Sequence, residues 1–458
     1  MKTIEKLVCR LVAAGVTALL LAQTAWAGIP IQHWSQPSGV QVYLVESHSI
    51  PMVDLQMDFD AGGRRDPGAK AGLASVTAGM TSKGVLASRS SGIDEPALDE
   101  NGLSEAWVDL GASFSAAAGS DRMSFSLRSL TYPDLLAKAI QLAARQFGEP
   151  AFPAAVWLRE RERLNAALKE SNTRPATVAG RAFSSAVYAT HPYGFDMNEA
   201  TLSQIDVADM RNLYASLITP CRAKVSIVGA VTRAQADDMV RQLLSRLAVS
   251  ESAAGCTPLP AITEVAALTV PQEKYIAFDS AQAHLLLGQP GYKRNDPDFF
   301  ALTVGNYVLG GGGFVSRLTA EVREKRGLSY SVYSYFSPGL HAGAFTIGLQ
   351  TRPDQAQQAL AVSREVLARF VQDGPTQAEL DAAKSNLVGG FPLLIDSNRK
   401  LLGNVANIAW NGLALDYLDS WTQQVDKVTV ADVRAAFARK LQPEKMVTVV
   451  VGATDAAN

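Results

Sequence analysis

Ala208-Asp209-Met210-Arg211, running through Leu217 and Pro220 to Val225-Ser226-Ile227-Val228-Gly229-Ala230, is written a second time near the end of the chain. There Ala431-Asp432-Val433-Arg434 runs through Leu441 and Pro443 to Thr448-Val449-Val450-Val451-Gly452-Ala453. The Ala-Asp pairs, the prolines and the closing glycines each stand 223 positions apart, three landmarks in one register. Both copies read as a helix, a proline-marked turn and a buried β-branched strand. One unit is used twice.

Between the copies, residues 249–262 hold Ser, Ala, Gly and Thr with Pro258 and Pro260 and show no periodicity, which predicts a linker. A first domain then covers 28–248 and a second 263–458. Each opens with strands, such as Val40–Val45 and Val53–Phe59, and continues with helices around Asp134–Phe147, Pro153–Lys169 and Gln355–Gln372. Strands gathered early and helices late predict an α+β fold, each sheet carrying helices on one face.

Residues 1–27 stand apart from that fold. Lys2, Lys6 and Arg10 precede an apolar run from Leu11 to Ala22 and the small-x-small triplet Ala25-Trp26-Ala27. This is the pattern of a secretory signal cleaved after Ala27, and the run is shorter than the roughly 20 residues of a spanning helix. An exported protein in a Gram-negative periplasm is the expectation. The 458 residues are 47% hydrophobic and 19% charged with a net charge of −2, so no basic surplus exists to attract nucleic acid or anionic lipid. Cys9 leaves with the signal, and Cys221 and Cys256 remain. An oxidising compartment permits them to pair, although sequence leaves open whether they approach closely enough.

The stretch Leu309-Gly310-Gly311-Gly312-Gly313-Phe314-Val315-Ser316-Arg317-Leu318 continues through Thr319-Ala320-Glu321-Val322-Arg323-Glu324-Lys325-Arg326-Gly327 to Leu328-Ser329-Tyr330-Ser331-Val332-Tyr333. Four glycines let the backbone turn freely and come close to a neighbour. A helix is predicted next, with Phe314, Leu318 and Val322 on one apolar stripe and Gly327 as its C-cap. Arg323 falls on its last turn, about 140° around from Leu318. Ser329–Phe336 alternates as a strand opened by Tyr330. Taken alone, Arg323 reads equally as a solvated cation favouring a helix C-terminus, and Tyr330 as a half-buried strand residue. Glu321 and Glu324 read as a solvated helix face.

With these residues the chain resembles the pitrilysin, insulysin and mitochondrial-processing-peptidase family of zinc metallopeptidases. Its members carry a Gly-rich turn followed by an Arg and a Tyr seven positions apart, the spacing of Arg323 and Tyr330. The likeness extends over the mature chain, including His191-Pro192-Tyr193-Gly194. It implies two homologous α+β domains, each with an antiparallel-rich sheet. It also implies an active site shared by two such halves, one holding zinc and the other giving Arg and Tyr. A phenolic O–H aimed at the carbonyl oxygen of a peptide under attack stabilises the charge that builds there. A guanidinium beside it holds a carbonyl or carboxylate through its fork of donors.

One departure decides the assignment. Active members carry His-x-x-Glu-His on a helix, two histidines one turn apart with a Glu as base. The matching stretch here is Gly72-Leu73-Ala74-Ser75-Val76-Thr77-Ala78-Gly79-Met80, with Ser75 and Gly79 at the histidine positions and Ala78 at the base. Ala167, eight residues before Pro175, falls at the distal ligand position, with Glu170 close by, while Glu160 keeps a supporting carboxylate. Histidines 33, 48, 191, 284 and 341 are scattered without ligand spacing, and no Gly-x-Ser-x-Gly elbow is present. The resemblance therefore implies a subunit that binds no metal or cofactor of its own. Its partner would be a homologue with intact His-x-x-Glu-His and zinc, forming a heterodimer that degrades peptides. Arg323 and Tyr330 would face the partner's zinc, and Gly310, Gly311, Gly312 and Gly313 would line the chamber or form only a turn. Peptides would bind as an added strand on a sheet edge. The other reading is a peptide-binding or structural scaffold with no part in cleavage.

Overall fold

The computed structural model describes residues 28–90, 92–247 and 256–452. The predicted signal, residues 1–27, and the first part of the predicted linker, 249–255, lie outside them. The first sheet has six strands: β1 (Gln32–Ser35), β2 (Gln41–Glu46), β3 (Met52–Phe59), β4 (Ser113–Ala118), β5 (Met123–Leu130) and β6 (Lys224–Gly229). Their order is β1-β2-β6-β3-β5-β4, and all pairs are antiparallel except β2 with β6. The second sheet has five: β7 (Gln272–Ile276), β8 (Ala283–Pro290), β9 (Val332–Phe336), β10 (Ala344–Thr351) and β11 (Val447–Val451). Its order is β7-β11-β8-β10-β9, with β7 and β11 the one parallel pair. The repeated strands β6 and β11 are each inserted between the opening strands of their sheets. Both are buried along almost their whole length. A strand covered on both faces reads as a continuous β-branched run, which is why the repeat was visible.

The helices follow the same register. Those of eight or more residues are α1 (Leu73–Met80), α2 (Glu100–Asp109), α3 (Pro133–Gly148), α4 (Ala154–Ser171), α5 (Pro175–Tyr188), α6 (Val207–Leu217) and α7 (Arg233–Leu244) in the first half. The second half holds α8 (Phe299–Asn306), α9 (Ala356–Asp373), α10 (Gln377–Gly390), α11 (Asn398–Asn411), α12 (Tyr417–Lys427) and α13 (Val430–Lys440). α3 and α9, α4 and α10, α5 and α11, α6 and α13 each begin 223 residues apart, as do β6 and β11. The duplication therefore extends well beyond the three landmarks.

Each sheet carries helices of its own half on one face, as predicted, and its other face is covered by a helix lent by the opposite half. Ala179, Phe183, Ala186 and Val187 of α5 pack on Val447, Val449 and Val451 of the second sheet. Leu402, Val405 and Ile408 of α11 pack on Val45 and Val228 of the first. Lys224 Nζ donates to the carbonyls of Ala409 and Trp410 at 2.9 and 3.1 Å. Arg122 donates to that of Ala406 at 3.3 Å. Lys224 thereby satisfies two carbonyls that the end of α11 leaves without an intrahelical partner. Under them lies Asp58, fully buried, with Arg122 Nη1 at 3.0 Å. Burial pushes the Asp58 carboxyl pKa up, and Arg122, Ser124 and Gln56 oppose that rise.

The loop between β9 and β10 is also held by the first half. Tyr193 Oη donates to Asp121 Oδ1 at 2.5 Å and accepts from the His341 N–H at 3.2 Å. Asp121 Oδ2 accepts from the Leu340 N–H at 3.0 Å. His191 opens the turn Pro192–Gly194, its Nδ1 accepting from the Tyr193 N–H at 3.1 Å. Cys221 and Cys256, left open by the sequence, are bridged with Cα atoms 5.7 Å apart, tying the linker to the segment before β6.

Candidate functional site

The Arg/Tyr pair is set up by what precedes it. Tyr307–Gly311 prolongs α8 as a wide, π-type turn laid against β9. A Cβ on Gly310 would stand 2.5 Å from the backbone nitrogen of Ser334, so only glycine allows this approach. Cβ atoms on Gly311 and Gly312 would meet Asn306 Nδ2 and the Tyr307 carbonyl, both at 2.7 Å. Three of the four glycines thus serve close packing. Gly313 alone is open, and its φ of +61° turns the chain outward.

Two expectations need correction here. Phe314 is not on the apolar stripe. It sits in the short turn Gly313–Val315 and is 70% exposed, while Leu318 and Val322 are fully buried. The helix starts only after Ser316, whose Oγ lies 3.4 Å from the Thr319 N–H as an N-cap, so its periodicity cannot reach back to Phe314. Arg317 pins the first turn to α10 through two 2.7 Å bonds to Glu379. The last turn, Thr319–Glu324, is again π-type and carries Arg323 as predicted. Gly327, at φ +63°, closes it by donating to the Arg323 carbonyl at 2.8 Å.

The second correction concerns Tyr330. The strand begins at Val332, two residues beyond it. Ser329 Oγ lies 2.7 Å from the carbonyls of both Ser331 and Gln350, which share its one O–H, and so ties the chain to β10 before regular pairing starts. Held between those anchors, Tyr330 projects outward and is 81% exposed rather than half-buried.

These turns bring three side chains together. The Arg323 guanidinium lies 4.8 Å from the Phe314 ring centre and 4.7 Å from that of Tyr330, between two exposed aromatic rings. It forms no ion pair among the described residues: neighbouring Glu321 is held by Lys325 and Arg326 at 2.7 and 2.6 Å, and the adjacent Glu324 makes none either. A cation stacked on aromatic faces keeps the edges of its planar fork open. Sequence reasoning missed Phe314, although four glycines followed by a Ser N-cap signal a helix that starts late.

The degenerate metal positions lie in the first half. Asp66 accepts the N–H groups of Gly72 and Ala74 at 2.9 Å each and so fixes the start of α1. Burial outweighs these bonds and raises its pKa to about 6. Ser75 and Gly79, one turn apart, face a cleft of about 360 Å³ together with Lys83, Trp157, Glu160 and Arg163, while Ala78 is buried. A hydroxyl, a methyl and a bare backbone supply no imidazole, thiolate or carboxylate, so this donor set does not fit zinc. Glu160 is committed elsewhere, to Lys83 at 3.2 Å and Arg163 at 2.8 Å. Burial works to raise its pKa, but Arg163 and Lys83 outweigh that and hold it below the usual value. Ala167, two helical turns beyond Glu160, does not line the cleft, and Glu170 pairs with Arg174. His191 and His341, far apart in sequence, meet with rings 5.0 Å apart where the halves touch, away from the cleft.

The family profile described as peptidase M16 inactive domain matches residues 204–387. An uncharacterized zinc protease of Streptomyces coelicolor is 30% identical over 237 residues, 51% of each chain, so the chain spans about half the length of that relative. The crystal structure of a peptidase M16 inactive domain from Pseudomonas fluorescens is 33% identical, with a TM-score of 0.85 over 93% of this chain and 99% of that one. The periplasmic protease PqqL from Escherichia coli, 18% identical, shares the fold with a TM-score of 0.76 over 92% of this chain and 45% of its own.

Proposed function

The chain belongs to the pitrilysin family of metallopeptidases (peptidase M16), in its inactive, zinc-less form, and on that premise we propose that it is the non-catalytic subunit of a two-chain periplasmic peptidase. The partner is a homologue with intact His-x-x-Glu-His, and the metal with its chemistry belongs to that chain. This chain gives Arg323 and Tyr330 to the shared site. Arg323 holds a carbonyl or carboxylate of the bound peptide, and the Tyr330 hydroxyl donates to the oxygen on which charge develops.

The observation that carries this reading is Arg323, half-buried and stacked on two exposed rings, with no carboxylate paired to it among the described residues. Alignment of the chain onto just under half of a periplasmic protease supports the two-half arrangement and the compartment. No helix among the described residues is long and apolar enough to cross a membrane. The strand β4, beside α1 at the edge of the first sheet, leaves one side free to accept an extended peptide.

The test is hydrolysis of a quenched fluorescent peptide by this chain, by the His-x-x-Glu-His homologue of the same genome, and by the two mixed with zinc. Activity is expected only in the mixture, and Tyr330→Phe should lower its kcat by ~10²-fold, the usual effect of losing one oxyanion donor. Equal activity of the partner alone, or full turnover with Arg323→Ala and Tyr330→Phe, would leave a scaffold role and sink the proposal.

A further inference from the structure

The first described residues of the first half lie against the second half. Ile31 is buried among Leu402, Val405 and Leu418, and Ile29 packs on the same cluster. The Ile29 N–H donates to Asp419 Oδ1 at 2.8 Å. One residue earlier the backbone touches the same carboxylate, for a Cβ on Gly28 would stand 2.5 Å from Asp419 Oδ2. Asp419 is in the first turn of α12 and has no cationic side chain paired with it among the described residues. An acid at that position is favourable by itself, so the helix terminus carries nothing here. The contact with Gly28 does.

Gly28 directly follows the triplet Ala25-Trp26-Ala27. We infer that removal of the export signal completes a latch in which the new amino terminus at Gly28 pairs with Asp419. Hydrolysis of the Ala27–Gly28 bond consumes one water, leaves a carboxylate on Ala27 and frees the Gly28 nitrogen, which takes a proton as an ammonium. That nitrogen is two bonds from the site of the absent Cβ, so at most about 5 Å separates it from the carboxylate. Before cleavage the same nitrogen is a neutral amide and offers Asp419 no charge. A side chain at this position would push the carboxylate aside, a shift that glycine as the first residue after the cut avoids. The latch ties the strand that opens the first sheet to a helix of the second half. The inference rests on the export reading, in that it needs cleavage after Ala27.

Protein released from a cleavable fusion with Gly28 as its first residue separates the latch from export. The Gly28 amine, labelled with nitrogen-15 and titrated by NMR at low salt, is expected to have a pKa at least ~0.5 above the ordinary value of about 8. The rise should vanish in Asp419→Asn and shrink in ~1 M salt. A chain beginning at Ala27, with Asp419 intact and the ammonium displaced by one residue, should titrate normally. A Gly28 pKa unchanged by Asp419→Asn, or equally raised in the Ala27 chain, overturns the latch. N-terminal sequencing of the exported protein should read Gly-Ile-Pro-Ile. Any other start overturns the processing step while leaving the titration to judge the contact, and neither result bears on peptidase activity.

Discussion

In the proposed shared site Arg323 would act only while its fork faces outward, and there Phe314 and Tyr330 stack on it. A cation–π contact at an exposed site is worth about 0.5–1 kcal/mol, so Phe314→Ala is expected to weaken peptide binding in the mixed complex by roughly two- to fivefold. Because Phe314 is exposed, the urea midpoint should move within about 0.5 kcal/mol of wild type. A large loss of stability with unchanged KM would show that Phe314 is a packing residue instead. The Arg323–Tyr330 spacing was legible because both residues follow a recognisable glycine run. Phe314 was not, because helical periodicity was extended back through Gly313, where a positive φ ends it. Tyr330 was read as the first strand residue because Ser329–Phe336 alternates, yet alternation cannot reveal that Ser329 Oγ shares its one O–H between two carbonyls before pairing starts.

Among elements, the closest approach at the site is the π-type turn on β9. Gly310→Ala would force a methyl group to within 2.5 Å of a strand nitrogen, and overpacking of that kind costs about 1–3 kcal/mol. The loss should appear as a lower denaturant midpoint together with reduced activity of the mixture, since the turn positions Phe314. The bridge between Cys221 and Cys256 closes a loop with a sequence separation of 35. On the chain-entropy model its reduction should cost about 3–4 kcal/mol, measured as a shift in the urea midpoint with and without reductant. A mere few tenths would mean that the folded linker is also set free when the bridge opens, so that little else holds it in place. Phe183 in α5 is expected to be worth about 3–5 kcal/mol by truncation to Ala, even though it contributes to the sheet of the other half. That helix is not among those predicted, although its apolar residues at 179, 183, 186 and 187 recur at helical spacing. A stripe states that a face is buried and not against what, so the exchange of helices stayed hidden while the repeat itself was plain.

At the scale of the molecule, acid should act on the buried charges. Arg246, 2.6 Å from Glu95, holds that carboxyl down to about 2 against the opposing effect of burial. A pKa lowered from 4.5 on folding adds stability that is complete above pH 4.5 and is lost as pH falls toward 2. Glu95→Gln, which leaves Arg246 and Arg145 short of a partner, should cost on the order of 3 kcal/mol at pH 7. It should also flatten the fall in urea midpoint between pH 4.5 and 2, and an equally steep acid limb in the variant would show that other carboxylates govern it. The two-half plan has a further consequence for biosynthesis. A nascent chain emerges from its N-terminus, and the first sheet is complete at Gly229, yet Leu402, Val405 and Ile408 arrive about 170 residues later. Until then Val45 and Val228 face water, and the emerging first half is a natural client for chaperones that shield apolar surface. The order of synthesis thus makes the carboxyl-terminal half the last step in folding the amino-terminal one, and a ribosome stalled between them leaves a fragment fit for degradation rather than a smaller working protein.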